Sequence, residues 1–219
     1  MKYALFPALL VLPVLAETTP LVTPPAKEHP ITLDLAFVAN FATRDITKET
    51  DFSVPTIGAD LTANYALTPT HSVNLRLGYT TGETDETTIV DDAVYYQVNG
   101  SINTMYFMPG YRYTHKLFRS FDWFAGANVG LAYVTAKDEE FVQGSKAFNV
   151  RDSSLGLAYS AELGIVYHVR PSLSVFAAYQ FSGTTAKPEL KTTYEGKDYS
   201  ITVNRQTYHG FRMGVSCHF

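Results

Sequence analysis

The sequence has few charged residues, a single cysteine and no apolar run long enough to form a transmembrane helix. Charged residues make up 17% of the 219 residues, whereas roughly 25% is usual in soluble domains. Because Cys217 is the only cysteine, an intramolecular disulfide is excluded. The longest apolar run, from Tyr3 to Ala16, is shorter than the about 20 residues that a membrane-spanning helix needs. The net charge of −4 gives no reason to expect nucleic-acid binding.

The first 30 residues predict a secretory signal peptide and a linker. Lys2 precedes the apolar run, which ends in small residues near Val14 and Ala16, so we expect cleavage after Ala16. Prolines at positions 20, 24, 25 and 30 disfavour regular pairing, and residues 17–30 are therefore predicted to be an extended linker. After cleavage no helical span remains, so any part that crosses a membrane must be a barrel.

After residue 30, apolar side chains recur at every second position in a series of segments. Successive side chains of a strand point to opposite faces, so this period separates two environments. The odd positions carry the apolar face in residues 31–41, 57–67, 73–79, 105–113, 123–133, 155–169, 173–181 and 211–219. The even positions carry Asp, Asn, Arg, Glu, Gln and many glycines. Each predicted strand therefore has one apolar face and one polar or small face.

Two folds produce such strands: a soluble sandwich with the apolar face inside and a membrane barrel with that face outside. The apolar segments last about ten residues, the length that a tilted strand needs to cross a bilayer, whereas sandwich strands are nearer five or six. The connections alternate between short ones (residues 68–71, 115–121 and 170–172) and long ones (residues 44–53, 83–99, 137–152 and 183–204). This alternation favours the barrel.

The prediction is an all-β chain that forms an antiparallel up-and-down transmembrane β-barrel of eight strands, with short periplasmic turns and long extracellular loops. Residues 1–16 are the predicted signal peptide, residues 17–30 the Pro-rich periplasmic linker and residues 31–219 the barrel. Cys217 falls on the lipid-facing side of the last strand and is predicted to have no chemistry.

Aromatic residues fall at both ends of the predicted strands, as the interfacial girdles of such barrels do. The predicted periplasmic girdle contains Tyr65, Tyr113, Trp123, Tyr167 and Phe219, and the predicted outer girdle contains Phe41, Tyr79, Tyr133, Tyr179 and Phe181.

Three stretches carry a recognisable pattern: the segment from Met108 to Tyr113, the turn from Arg170 to Leu173, and the alternating C-terminal strand that ends in Phe219. Together with the predicted strands they resemble the small outer-membrane barrels of the OmpA, OmpX and OmpW type, also grouped as opacity-like or porin-family barrels. The resemblance implies the outer membrane of a Gram-negative cell, contact with outer-membrane lipid and lipopolysaccharide, and recognition of Phe219 by the assembly machinery. It implies no particular activity, because the group contains structural proteins, adhesins, narrow channels and, rarely, enzymes.

Charged residues at even positions predict a cluster inside the barrel. They are Asp34, Asp60, Arg76, Arg112, Glu162 and Arg212. A barrel of eight strands is only wide enough for side chains to fill it, and buried charges must pair because an unpaired one is very costly. The favoured interpretation is a plugged, ion-paired lumen. The alternative is a narrow pore whose gate is an exchange of ion-pair partners.

The long loops carry two further candidate features. Acidic residues Glu83, Asp85, Glu86, Asp91 and Asp92 are oxygen ligands of the type that calcium prefers, but the EF-hand spacing is missing and no metal site is predicted. Strand-like flanks around tyrosines predict hairpins that extend the barrel and either bind a partner by strand addition or only pair with their neighbours. The candidate interaction residues are Tyr95, Tyr96, Tyr194 and Tyr199.

An enzyme would need a nucleophile and a base at the rim of the barrel. Lipid A deacylases of similar size use a Ser/His pair with a carboxylate, and the candidates here are His168 near Ser172, His71 near Ser72, and His209. The first two lie at the predicted periplasmic rim, and His209 lacks a His-x-Ser neighbour. We therefore expect no catalysis and no cofactor. The predicted function is an envelope-structural or adhesion-like role, with a narrow channel for small or apolar solutes as the alternative and a lipid A-modifying enzyme as a remote one.

Overall fold

The computed structural model describes residues 30–42, 55–83, 87–91, 94–142, 145–194, 197–202 and 206–219. The predicted signal peptide, linker and first long loop lie outside these residues. The strands in chain order are β1 (Ile31–Ala42), β2 (Thr56–Ala66), β3 (His71–Glu83), β4 (Thr87–Asp91), β5 (Val94–Phe118), β6 (Phe121–Val142), β7 (Ser145–Arg170), β8 (Leu173–Thr184), β9 (Glu189–Tyr194), β10 (Lys197–Thr202) and β11 (Gln206–His218). No helix in the described part of the chain is long and apolar enough to cross a membrane.

Eight of these strands close into an antiparallel up-and-down barrel. Their order is β1-β2-β3-β5-β6-β7-β8-β11, and the ring closes where β11 pairs with β1. β4 pairs with β5 beside the ring, and β9 and β10 form a separate hairpin. This closed antiparallel ring confirms the predicted fold class. Because side chains alternate between the two faces, the polar faces of neighbouring strands lie on the same side of the sheet.

The apolar face points outward. Leu35, Ile57 and Met213 are 57%, 57% and 52% exposed, whereas Asp34 and Arg212 at even positions are 0% exposed. The sandwich alternative, which required the apolar face inside, is therefore wrong. Cys217 is half-buried and is paired in register with Leu33 and Leu173 on the outward face.

Three consecutive strands are much longer than the others. β5, β6 and β7 contain 25, 22 and 26 residues, whereas β1 and β8 contain 12 each. The predicted loops 83–99 and 137–152 are therefore wrong in their bounds, because most of these residues continue the strands or form β4. The alternation of apolar and polar residues stops at the end of the outward apolar belt. Hydrogen bonding between the strand backbones does not require this alternation, so the strands continue beyond it.

The opposite end of the barrel has tight turns. Pro171 and Ser172 join β7 to β8 as predicted, whereas the predicted connection 115–121 is too long, because β5 continues to Phe118 and only Arg119 and Ser120 form the turn. A register shift between Lys116 and Phe118 breaks the alternation there, which explains why the pattern alone ended the strand early.

Candidate functional site

The lumen contains a charge-balanced cluster built from six different strands around the ring. Asp34 (β1), Asp60 (β2), Arg76 (β3), Arg112 (β5), Glu162 (β7) and Arg212 (β11) all project inward and are buried. The barrel brings together all the charged residues that the sequence placed in the predicted cluster. Three carboxylates face three guanidinium groups, so the cluster has no net charge.

Glu162 connects the three arginines of this cluster. Its carboxylate lies 2.7 Å from Arg76 Nη2, 3.4 Å from Arg112 Nη2 and 3.6 Å from Arg212 Nη1. Arg112 Nη1 also lies 2.9 Å from Asp34 Oδ2. Removing one member of a buried pair typically costs about 3–5 kcal/mol because it leaves the other charge uncompensated. The geometry therefore supports a firmly closed section of lumen.

Arg212 and Asp60 form the tightest pair of the cluster. Arg212 Nη2 lies 2.6 Å from Asp60 Oδ1 and donates to Thr62 Oγ1 at 2.8 Å. Arg212 Nε lies 3.0 and 2.9 Å from the two oxygens of the same carboxylate. Such forked contacts add geometric specificity to charge pairing.

Below the charges, toward the short turns, aromatic rings occupy the lumen. The guanidinium carbon of Arg112 lies 4.3 Å from the Phe124 ring centre, and that of Arg212 lies 4.8 Å from the Phe176 ring centre. The two rings meet edge to face with centroids 6.3 Å apart. The arginines therefore combine ion pairing with cation–π contacts, and the rings add a second layer to the closed section.

A chain of hydrogen bonds, here called the His–Ser chain, lies nearest the short turns. Asp122 Oδ2 is 2.8 Å from His168 Nε2, and His168 Nδ1 is 2.8 Å from Ser174 Oγ. Ser174 Oγ is also 2.7 Å from His218 Nε2, whose Nδ1 lies 3.1 Å from Thr32 Oγ1. The chain is satisfied when every group donates to the neighbour that is nearer to Asp122. Thr32 then donates to His218, His218 to Ser174, Ser174 to His168 and His168 to Asp122, so every hydrogen bond has one donor and one acceptor.

The His–Ser chain resembles a Ser-His-Asp arrangement, but it does not support hydrolysis. Ser174 is 0% exposed and lies between two imidazole rings, so a substrate carbonyl has no approach to its oxygen. The sequence paired His168 with Ser172, which is wrong: the partner is Ser174. The members come from five strands, and no local spacing in the sequence brings them together.

Two other histidines considered as catalytic candidates lie on the outward face. His209 contacts the rings of Phe41 and Tyr179 at 6.0 and 6.3 Å. His71 hydrogen-bonds the Tyr111 hydroxyl and contacts the Tyr113 ring. These contacts are with aromatic neighbours rather than with a nucleophile.

The half of the lumen toward the long strands is different. Ile102, Met108, Val134 and Ala158 form an apolar wall, beside a cavity of about 40 Å³ that is also lined by polar groups such as Gln180. Residues 185–188, here called the strap, follow β8 and lie against this wall. The strap lies within residues 183–204, which the sequence predicts to be a long extracellular loop, and no period of two marks it.

Hydrogen bonds hold the strap to β7. Thr185 N donates to Leu157 O at 2.9 Å, and Leu157 N donates to Thr185 Oγ1 at 2.9 Å. Lys187 N donates to Ser154 Oγ at 3.2 Å. Ala186 is only 2% exposed and belongs to the apolar cluster, so the strap packs against the apolar wall.

Just beyond the strap, Asp152 holds the start of β9. Its Oδ2 accepts a hydrogen bond from Glu189 N at 2.7 Å. The backbone N–H groups of Glu189 and Ser153 lower the pKa of the Asp152 carboxyl, because they favour its charged form. Glu189 in turn pairs with Lys191 at 2.9 Å and raises the pKa of that ammonium.

The predicted girdle residues lie on the outward face at the two ends of the apolar belt. Phe41, Tyr65, Tyr79, Tyr133, Tyr167, Tyr179, Phe181 and Phe219 are exposed, and Tyr113 and Trp123 are half-buried. Tyr113 and Trp123 meet at 5.5 Å, and Tyr79 donates to Asn103 Oδ1 at 2.6 Å. Their position at membrane interfaces stays a prediction.

The candidate interaction tyrosines lie in hairpin strands. Tyr95 and Tyr96 pair with Val90 and Ile89 of β4, while Tyr194 and Tyr199 belong to the β9–β10 hairpin. Asp85, Glu86 and Asp92 of the acidic loop lie outside the described residues. No group of three or more potential metal ligands occurs in the part of the chain that the structure describes.

Comparison with solved structures finds outer-membrane barrels. The outer membrane protein OprG from Pseudomonas aeruginosa superposes with a TM-score of 0.54 at 15% identity, covering 88% of this chain and 97% of that one. A major outer membrane protein from Thermus thermophilus gives a TM-score of 0.56 at 13% identity, covering 87% of this chain and 100% of that one. The chain has the fold of the small outer-membrane β-barrels.

At such low sequence identity, the similarity to these structures shows a shared fold. No protein-family model matches the sequence, and no curated protein matches it. The function must therefore be argued from the lumen, the outward face and the hairpins of this chain.

Proposed function

We propose that this chain is a non-enzymatic outer-membrane barrel with a closed lumen, which acts through its long hairpins in envelope structure or surface interaction. The observation that carries the proposal is the contrast between lumen and hairpins. The lumen charges pair with one another, while β5, β6 and β7 extend to about twice the length of the other barrel strands.

The outward face supports a membrane location. Leu155, Leu163 and Val129 are 65%, 60% and 60% exposed, and a continuous apolar belt of this kind is unstable in water because apolar area costs about 25 cal/mol per Å² when hydrated. Both structural neighbours named above are outer membrane proteins. The proposed partners are outer-membrane lipid and lipopolysaccharide, with Phe219 as the contact for the assembly machinery.

Single-channel conductance in a planar bilayer tests the closed lumen. We expect no steady conductance from the refolded chain and at most brief openings from Arg212→Ala. Correct folding of both proteins is checked by β-sheet circular dichroism and by heat-dependent migration on gels. Steady openings of the unmodified chain would contradict the closed lumen.

A complementation experiment tests the role of the hairpins. A strain lacking the gene is supplied with the full chain or with a variant in which residues 138–150, the paired ends of β6 and β7, are replaced by a short Gly-Ser turn. We expect both proteins to reach the outer membrane, and only the full chain to restore detergent resistance or cell-to-cell adherence. Equal performance of both proteins would contradict a hairpin-based function.

A second candidate function, a narrow channel for small or apolar solutes, is favoured by the cavity beneath the strap. Apolar side chains line one side of this cavity, and Arg76 of the ion cluster also lines it. A channel would require the strap to move and the ion pairs to exchange. Reproducible openings that Arg212→Ala enlarges would favour this function over the first.

A further inference from the structure

The short-turn end of the barrel carries exposed basic residues. Lys116 and Arg119 lie at the β5–β6 turn, Arg170 lies at the β7–β8 turn, and all three are exposed. The nearby carboxylate of Asp122 is directed inward and hydrogen-bonded to His168. Lys116 pairs in register with Asp122 and therefore shares its inward face, so the cations of the outer surface are Arg119, in the turn, and Arg170, which pairs with the outward residue Leu173.

Strand pairing brings the two basic turns together. Phe121 pairs with Tyr167 in register, and His168 N donates to Ser120 O at 2.9 Å. Arg119 has a φ of 42°, a left-handed conformation that Gly or Asn adopts more readily. Arginine at this position costs backbone energy, which is consistent with a use for its side chain.

Aromatic rings lie directly beside these cations. Phe118 contacts Phe121 at 5.2 Å, and Phe121 contacts Tyr167 at 4.8 Å. Phe118 is 61% and Tyr167 42% exposed. The register shift after Lys116 turns Phe118 outward onto the same surface as Phe121. Aromatic rings prefer the interface of a bilayer, where one side is apolar and the other is hydrated.

We propose that this surface, the basic rim (Phe118, Arg119, Phe121, Tyr167 and Arg170), binds the headgroup of an anionic phospholipid in the leaflet nearest the short turns. The rings contact the glycerol and upper acyl region while the cations contact the phosphate, which arginine binds through paired donors. A zwitterionic headgroup fits less well, because the two arginines repel its ammonium group. The inference rests on the membrane insertion proposed above.

Trp123 provides a direct probe, because it is the only tryptophan of the chain. It lies on the outward face beside the rim and contacts Tyr113 and His115 at 5.5 and 6.3 Å. Brominated acyl chains quench tryptophan only at short range. The refolded chain is inserted in bilayers of one fixed mixture of phosphatidylcholine and phosphatidylglycerol, with the bromine carried by either lipid at the same mole fraction.

We expect tryptophan quenching to be stronger, by about twofold or more, when phosphatidylglycerol carries the bromine. This difference between the two lipids should become smaller at high salt, because exposed charges are screened. The double variant Arg119→Gly, Arg170→Gln is expected to quench equally with either lipid. A matched control, Lys187→Gln, Lys191→Gln, removes the same charge at the opposite end and should retain the difference.

Equal quenching in an unmodified chain that has inserted, as shown by its heat-dependent migration, would overturn the lipid site and leave the proposed function intact. Failure of the chain to insert at all would count against the proposed function itself. A difference that persists in the double variant would also overturn the lipid site, whereas a difference that inorganic phosphate abolishes, and chloride of the same ionic strength does not, supports phosphate binding by the rim.

Discussion

In the half of the lumen toward the short turns, arginines and carboxylates pair directly, whereas the other half has an apolar wall against which the strap packs. The half that is closed by ion pairs needs every member of the cluster, because the loss of one carboxylate leaves a buried cation without its partner. Closing by the strap depends on a few hydrogen bonds to β7. From this difference we predict that the first half is rigid and that the second half is the part able to open.

The largest expected effect breaks the rigid half. Glu162→Gln removes the carboxylate shared by Arg76, Arg112 and Arg212, and we expect it to lower the free energy of unfolding by about 3–5 kcal/mol. Urea titration followed by heat-dependent gel migration measures the change. Ser160→Ala, which removes only a 3.5 Å contact with Arg76, is the control. A loss below about 0.5 kcal/mol for Glu162→Gln would show that the cluster does not hold this half together.

The strap offers a way to open the other half. Cys217 is replaced by Ser, and a single cysteine is introduced as Ala158→Cys in the apolar wall or as Ser216→Cys near the short turns. Both positions are buried, with 4% and 3% exposure. Replacing residues 185–188 with Gly and Ser is expected to accelerate maleimide labelling at position 158 by about tenfold and to leave the labelling rate at position 216 unchanged. A tenfold change corresponds to a decrease of about 1.4 kcal/mol in the free energy needed to open this half. Equal acceleration at both positions would contradict two independent halves.

The His–Ser chain sharpens the comparison at the short-turn end. Ser174→Ala removes the hydroxyl shared by His168 and His218, and we expect a loss of about 1–3 kcal/mol in the free energy of unfolding, because two hydrogen bonds of about 0.5–1.5 kcal/mol each are lost. Ser172→Ala, in the exposed turn, should change stability by less than about 0.5 kcal/mol. Equal effects of the two substitutions would count against the observed pairing of His168 with Ser174.

The sequence determined the barrel and the inward position of its charges because both depend on a period of two. Asp34 and Arg112 share the lumen whatever their exact partners are. Features that depend on registry between distant strands were not predictable: Ser174 meets His168 and His218 only after β7, β8 and β11 align. The outward turn of Phe118 follows from a local bulge, and no alternation can reveal it.

The smallest expected effect concerns the attachment of β9 at the long-strand end. The pKa of the Asp152 carboxyl is lowered from 3.8 in the folded chain, chiefly by the Glu189 N–H. A lowered acid pKa means that the contact stabilises the fold above the unfolded pKa and is lost as pH falls through the folded pKa. Carbon NMR of the Asp152 carboxyl should therefore show a midpoint below 3.8. Proteolysis of the strap should increase below that midpoint, and in Asp152→Asn it should no longer depend on pH in this range. A midpoint at or above 3.8 would mean that Asp152 does not hold β9, and the strap would then depend on its hydrogen bonds to Leu157 and Ser154 alone.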